Sequence, residues 1–554
     1  MSSVCNTYIL NLMIKRWKSS IFLVTLTIFL AFVMVGNVFL LKELTDSVTK
    51  TEWNKFYIVA GITVIYIALG GFLRYIRQRY SAIFSIKLIN DTRNIIIRRI
   101  FSAPLSNVKN KSFDSYISQI NSHLPTVKIN YFDVFFWGMY LFFQFLFAVI
   151  IAFIINPMMA LLSLFLSSPF AIVPLFSKKS IEKAAEDVAR ETDSLNESIS
   201  DAINGLVDWR TYDQSFNAQS LILKTISHWG GIAKKEAKVQ ERVDSINGTL
   251  TYALYFGAWI LGGFLIMAGS MTLSEMVAFA QLLSDISIPL YSASGLFTQF
   301  QSGRKTLQFV NKNTDFIPDV YTDIKIVENP EIIEYKNFSL PYGALKYNPA
   351  SFTVELDKKY LVIGESGVGK STLFSPLLGI TQEYRGDIYI NGIDVSKISK
   401  DCIYRNIGYI SQSSRILSGS IRNNVSMWDS NISTNILNKA YENSYIMPLV
   451  RSKGEDYFID NSLNAISGGE KQRLLVARLF AHGYRFAIIG EVTSALDSVN
   501  SNYIEDSLLK NLDGMIYISH KYDNSLINKF DYVVEVNYAD GVHVVEADKY
   551  KGYE

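Results

Sequence analysis

The sequence predicts a multidomain chain: an all-α polytopic membrane domain, followed by an α/β domain of the P-loop NTPase class. Three observations carry that reading. Residues 1–310 hold six apolar runs of the length a helix needs to cross a bilayer. Residues 364–372 spell GESGVGKST, which matches G-x-x-x-x-G-K-[ST] at every fixed position. Hydropathy drops from about Ser302, so that residues 311–330 read as a polar linker and residues 331–554 as the second domain.

Composition sets the outer bounds. At 554 residues the chain is too long for one ordinary domain, and only 19% of its residues are charged. A net charge of +2 gives no basic excess, which argues against nucleic acid as a partner. The two cysteines, Cys5 and Cys402, lie far apart without metal-like spacing, so neither a disulfide framework nor a zinc site is implied.

The apolar runs cover residues 21–41, 56–73, 134–155, 157–176, 250–268 and 276–297. The first follows Lys15, Arg16 and Lys18, as a secretory signal would. No small-residue cleavage site follows it, and further apolar runs do, so it reads as a retained span. No leader-cleaving peptidase is expected ahead of that span. Orientation follows the basic residues: the N-terminus is basic, and so is the connection after the second span, with Arg77, Arg79, Lys87, Arg93, Arg98 and Arg99. Both termini and the two long connections are therefore expected in the cytoplasm, with the chain multi-pass in the cell membrane.

Those connections, of roughly 60 and 70 residues, are long for structureless loops. Phe84, Leu88, Ile95 and Ile96 recur at helical spacing in the first, as do Ile181, Ala185, Val188, Leu195, Ile199 and Leu206 in the second. The spans are thus expected to continue as helices beyond the membrane. Residues 106–113 and 206–216, at the turns, read equally as short transverse helices touching another domain or as plain solvated helix.

Ionisable groups inside spans are costly and each suggests a role. Asp285 lies within the sixth run near Gln281 and Pro289, and is expected to face a water-filled cavity rather than lipid. Asp133 sits at the edge of the third run, where headgroups can solvate it. That run is rich in aromatics from Phe135 to Phe147, which suit lipid contact and packing better than a substrate wall.

In the second domain, residues 360–363 read as a buried strand before the glycine loop, and Leu373, Phe374, Leu377 and Leu378 as the start of an apolar helical face. Gly364, Gly367 and Gly369 let the backbone wrap a polyphosphate, with Ser366 and Thr372 in the same loop. Lys370 would neutralise the β- and γ-phosphates of ATP, and the Ser371 hydroxyl would ligate Mg²⁺. Tyr342 reads equally as an aromatic stacked on adenine or as a strand-edge tyrosine. Gln412 follows the apolar strand 407–410, within reach of Mg²⁺ or an attacking water. Ser467, Gly468 and Gly469 open a basic amphipathic helix, and two glycines at a helix start again suit phosphate. Strand 486–489 ends in Gly490 and Glu491, SALD follows at 494–497, and strand 516–518 ends near His520. Strand-end residues gathered at a phosphate loop are how doubly wound α/β domains build their sites.

Together these residues resemble the ABC transporter nucleotide-binding cassette. The likeness makes 364–372 the phosphate loop, Gln412 the Q-loop glutamine, ISGGE at 466–470 the signature, Glu491 the catalytic glutamate, SALD the D-loop and His520 the switch histidine. The six runs with long connections resemble the type IV exporter transmembrane domain. That resemblance implies a dimer of two half-transporters, identical or related, with ATP held between one phosphate loop and the partner's signature. It also implies that residues 106–113 and 206–216 are coupling helices.

Four positions depart from the family pattern. Gly490 stands where an aspartate usually holds Mg²⁺ through water, Glu470 where the signature usually ends in Gln, and Leu340 where an aromatic often precedes a proline. Residues 454–460, GEDYFID, do not match the segment that many exporters carry before the signature. The expected function is ATP-driven export of a hydrophobic or amphipathic compound, such as a peptide, lipid or drug, with hydrolysis slowed at Gly490. The alternative is an ATP-binding membrane regulator, or the degenerate half of a heterodimer. An importer fits less well, because importers usually keep spans and cassette on separate chains.

Overall fold

The computed structural model describes residues 8–109, 113–314, 329–341, 348–412, 414–460, 466–490, 492, 498–519, 522–538 and 541–550. The chain forms two compact units, one of residues 1–98 with 114–315 and one of residues 99–113 with 316–554.

The first unit is helical. Its main helices are α1 (Trp17–Thr49), α2 (Trp53–Phe101), α3 (Val134–Ile155), α4 (Pro157–Asn204), α5 (Ser215–Met267) and α6 (Leu273–Thr314). Helices α1, α2, α5 and α6, and the run Tyr116–Ile155 that ends in α3, are long and apolar enough to cross a membrane. Helix α4 is apolar over residues 157–176 and runs on as a polar helix to Asn204. At 1.5 Å per residue, helices of 48 to 53 residues far exceed a bilayer core of about 30 Å. The long connections are therefore continuations of α2, α4 and α5.

Asn156 makes the sharp turn from α3 to α4. Its side chain caps α4 by accepting from the Met159 N–H at 3.1 Å, and Pro157 fills the first helical position, where no N–H is needed. Before α3 the chain passes through two π-helical turns, Gln119–His123 and Lys128–Asp133. Asp133 is held there by Lys128 at 2.7 Å, so an ion pair satisfies it.

Helix α6 is the most enclosed. Its Phe279, Leu282, Leu283 and Ile286 pack with Ala148, Ile151 and Ala152 of α3, Met159 of α4 and Leu254 and Ala258 of α5. Small residues on the neighbours let these helices approach closely, which is what holds helices together in lipid. By contrast α2 exposes Ile62, Val64, Ile65, Ile67 and Leu69, the surface expected to meet lipid. The α3 aromatics divide: Phe136 and Tyr140 are buried, while Trp137 and Phe142 are exposed.

Asp285 lies buried within the helical unit, away from lipid. It is only 8% exposed, and its Oδ1 accepts a hydrogen bond from the Gln144 amide of α3 at 2.7 Å. A neighbouring helix supplies that partner. The second carboxyl oxygen, Oδ2, is buried without a hydrogen-bond partner.

The second unit is α/β. Its strands are β1 (Ile332–Ser339), β2 (Ala350–Glu355), β3 (Lys359–Gly364), β4 (Arg385–Ile390), β5 (Ile393–Asp394), β6 (Ile407–Ile410), β7 (Gly419–Ser420), β8 (Phe458–Ile459), β9 (Phe486–Gly490), β10 (Gly514–Ile518), β11 (Tyr532–Asn537) and β12 (Gly541–Glu546). A six-stranded sheet has the order β12-β11-β3-β10-β9-β6, parallel throughout except for the β11–β12 pair. An antiparallel sheet has the order β2-β1-β4-β5.

The central strands are near-continuous apolar runs because both of their faces are covered. Alternate residues separate cleanly. Leu361, Ile363, Ala487, Ile489 and Tyr517 pack towards helices, among them Thr434–Asn443 and Ser498–Asn511. Tyr360, Val362, Ile488 and Ile516 pack towards Ile333, Tyr335, Val354 and Ile388 of the antiparallel sheet.

The helix after the glycine loop, α7 (Lys370–Leu373), is shorter than its apolar pattern suggests. Pro376 has no N–H to offer the Thr372 carbonyl and disfavours helical geometry at Ser375. The Ser375 N–H and hydroxyl bind that carbonyl instead, at 3.1 and 2.8 Å, and turns follow. Leu373, Phe374, Leu377 and Leu378 are nonetheless all buried. The second unit also contains the short helix Leu105–Lys109, where the buried Ser106 donates its N–H to the Gly379 carbonyl at 3.1 Å. Residues Leu206–Thr211 form a short helix in the first unit.

Candidate functional site

The glycine loop leaves the C-terminal end of β3, between β11 and β10. Gly364 has φ 144°, and a Cβ there would collide with the Val536 carbonyl oxygen of β11. Only glycine fits at that crossing. Glu365, Ser366 and Gly367 are exposed, while Val368 plugs the loop into the core. Lys370 is buried, and its Nζ donates to the carbonyls of Gly364 at 2.6 Å and Glu365 at 2.8 Å. The loop thus curls around its own ammonium group, leaving Ser371 exposed at the start of α7. A glycine-lined loop closed over a buried cation suits a polyphosphate.

Strand register brings further positions to the same edge. Gly490 lies opposite Ile518, and Ile518 opposite Val362, so β9, β10 and β3 reach this edge nearly level. Gln412 is exposed in the turn after β6, the neighbour of β9. Glu491, residues 494–497 and His520 follow directly on these strands but lie outside the described residues, as does Tyr342. Among the described residues, no group of three or more His, Cys, Asp or Glu could hold a metal ion. A divalent cation here would rest on the Ser371 hydroxyl, the Gln412 amide and phosphate oxygens, a hard-oxygen set that suits Mg²⁺.

The signature opens α8 (Gly468–Ala481) with a reciprocal cap. The Ser467 hydroxyl accepts from the Glu470 N–H at 3.2 Å, and Glu470 Oε2 accepts from the Ser467 N–H at 2.7 Å. S-x-x-E is the signature of a capping box, legible in SGGE yet absent from the phosphate reading. It engages the Glu470 carboxylate locally and leaves the N–H groups of Gly468 and Gly469 as the remaining first-turn donors.

A second feature was not legible at all. Arg478 of α8 donates from Nε to the Asn424 carbonyl at 2.9 Å, and its other nitrogens reach Asn424 Oδ1 and the Arg415 carbonyl. Burial lowers the Arg478 pKa from its ordinary value. Asn424, itself fully buried, bridges to Leu417 and Ser420. The stretch after Gln412 is thereby tied to the signature helix. Residues 454–460 join the same assembly: β8 pairs with β7, and Glu455 meets Arg422 at 3.1 Å.

The ABC transporter family model matches residues 347–494, and that of the ABC transporter transmembrane region matches residues 20–290. The mitochondrial iron-sulfur clusters transporter ATM1 of Kluyveromyces lactis is 25% identical over 350 residues, covering 59% of this chain and 47% of the relative. The lactococcin-A transport/processing ATP-binding protein LcnC of Lactococcus lactis is 26% identical over 377 residues, covering 66% and 52%. The chain spans about half the length of these relatives. A solved bacterial Atm1-family ABC exporter with ATP bound superposes with a TM-score of 0.81 at 15% identity, covering 97% of this chain and 95% of that one. With both family models matched in sequence order and the type IV exporter fold shared along its length, this chain belongs to the ABC transporters.

Proposed function

We propose that this chain is one half of a dimeric ATP-driven exporter that moves a hydrophobic or amphipathic compound out across the cell membrane. The observation that carries the reading is the loop of residues 364–372, closed over the buried Lys370, in one chain with helices of membrane-crossing length. ATP would lie on that loop, with Gly364, Ser366, Gly367, Gly369 and Thr372 around its phosphates, and Ser467, Gly468 and Gly469 would meet it from the partner chain. Mg²⁺, held by Ser371 and Gln412, would supply charge neutralisation at the phosphate oxygens. Glu491 would polarise the attacking water, and Gln412 and His520 would sense the γ-phosphate. Closure of the two cassettes around ATP favours one arrangement of the spans over the other, which is how binding energy becomes movement.

The cassette faces the cytoplasm in this reading, and the relatives named for iron-sulfur cluster and lactococcin transport support a transport role. The test is uptake into inside-out vesicles carrying the chain, using a panel of peptides, lipids and drugs. ATP-dependent accumulation that Lys370→Ala abolishes supports export; no accumulation of any compound, in either homodimer or co-expressed heterodimer, speaks against it.

A second reading has a specific observation behind it. Gly490 ends β9 without a side chain beside Gln412, which favours a slow or partner-dependent ATPase, or an ATP-binding regulator. ATP binding without turnover beside any related chain would support the regulator.

A further inference from the structure

Away from the nucleotide loop, the helical unit holds two arginines without an anion. Arg74 and Arg77 of α2 follow directly on the apolar run 56–73 and, three residues apart, share one helix face. Arg77 is only 4% exposed, and a guanidinium buried to that degree is normally paired. What it meets is aromatic: its guanidinium carbon lies 4.7 Å from the Tyr140 ring centre and 5.7 Å from that of Trp137, both on α3. Arg74 is exposed, and its Nη2 reaches the Met34 sulfur of α1, a weak acceptor, at 3.3 Å. Among the described residues no carboxylate pairs with either arginine. The Asp285 carboxyl is engaged by Gln144 instead. Aromatic faces attract the charge of Arg77 but give its N–H groups no lone pair to bind. Of its nitrogens, Nε alone is sealed in without a partner, so the terminal Nη1 and Nη2 keep contact with accessible space.

We propose that Arg74 and Arg77 bind the phosphate headgroup of an anionic amphipathic compound. A guanidinium fork takes two phosphate oxygens at once, and Arg74 brings a second fork to the same helix face. A phosphate monoester sets up to two negative charges against two cations, where a carboxylate has one. An ammonium would be repelled. Met34, Leu73 and Phe143 pack around Tyr140, so apolar surface that suits an alkyl tail adjoins the arginines. The pair also stands at the end of an apolar run, the depth at which a headgroup lies when its tail is in the bilayer. The inference rests on the export reading only in making that compound a transported one; the binding itself does not depend on ATP.

The test is calorimetric titration of the full chain without nucleotide, in a non-ionic detergent that brings no phosphate of its own. The probes are n-hexyl phosphate, inorganic phosphate, n-hexanol and n-hexylammonium, with detergent alone subtracted. The site predicts saturable binding of hexyl phosphate, about tenfold tighter than inorganic phosphate, and none of the alcohol or the ammonium. Arg74→Gln, which removes one charge at an exposed position, and Arg77→Lys, which keeps the charge and loses the fork, should each weaken it about tenfold. Binding of a fluorescent ATP analogue, unchanged in both variants, establishes that they fold. An affinity unmoved by both variants would put the phosphate elsewhere, at the glycine loop first of all, and overturn the proposal. So would equal binding of the alcohol, inorganic phosphate bound as tightly as its ester, or no saturable binding. Hexyl phosphate binding without ATP-dependent accumulation of that compound in vesicles would count against the export reading and leave this site standing. Accumulation of an uncharged compound by a chain that binds no phosphate ester would do the reverse.

Discussion

A Cβ built on Gly490 stands 3.6 Å from the backbone nitrogen of Gln412 and 3.5 Å from the Ile410 carbonyl oxygen. These are ordinary contact distances, so the end of β9 has room for a side chain beside the turn that carries Gln412. The missing group at position 490 is therefore a matter of chemistry, not of space.

Gly490→Asp is accordingly expected to fold and to speed ATP hydrolysis by about tenfold, a barrier change of roughly 1.4 kcal/mol. Steady-state phosphate release in lipid reads it out. An unchanged rate would mean that Mg²⁺ is held adequately without that carboxylate.

The capping box makes a paired prediction. Glu470→Gln restores the usual signature and keeps an acceptor for the Ser467 N–H, so stability and turnover should stay close to wild type. Ser467→Ala removes the cap and should destabilise the chain by about 1 kcal/mol. Thermal unfolding of the two variants side by side checks the order; equal melting would contradict it.

Lys370→Ala removes the ammonium that closes the loop onto the carbonyls of Gly364 and Glu365. ATP affinity should fall tenfold or more, about 1.4 kcal/mol. Equilibrium binding of a fluorescent ATP analogue measures this, and retained affinity would argue that the loop does not hold the phosphates.

In the helical unit, Gln144→Leu strips the Asp285 carboxyl of its one donor from α3 and should cost on the order of 1–3 kcal/mol. Asp285→Asn keeps an acceptor for the Gln144 amide and should be milder. The comparison is made by thermal unfolding in detergent. A more damaging Asp285→Asn would show that charge, not the hydrogen bond, matters there.

Much of this molecule was legible in the sequence. The apolar runs, and the helical spacing of Phe84 and Leu88 or of Ile181 and Val188, foretold long helices because periodicity reports burial directly. The glycine loop was legible because its φ angles and its close approach to Val536 admit little else. The length of α7 could have been read from Pro376, whose missing N–H ends the helix. What the sequence could not show were pairings set by tertiary approach. Gln144 and Asp285 are 141 residues apart, and Arg478 and Asn424 are 54 apart. No local pattern announces such a partner.

The central claim is that this chain turns over ATP through Glu491, slowly for want of a carboxylate at position 490. Mg-ATPase activity of the purified chain in lipid, measured for wild type, Glu491→Gln and Gly490→Asp together, tests it most directly. The account predicts slow turnover in the wild type, none in Glu491→Gln and faster turnover in Gly490→Asp. Tight ATP binding with no turnover in any of the three would contradict it and point to a regulator or to a catalytic partner chain.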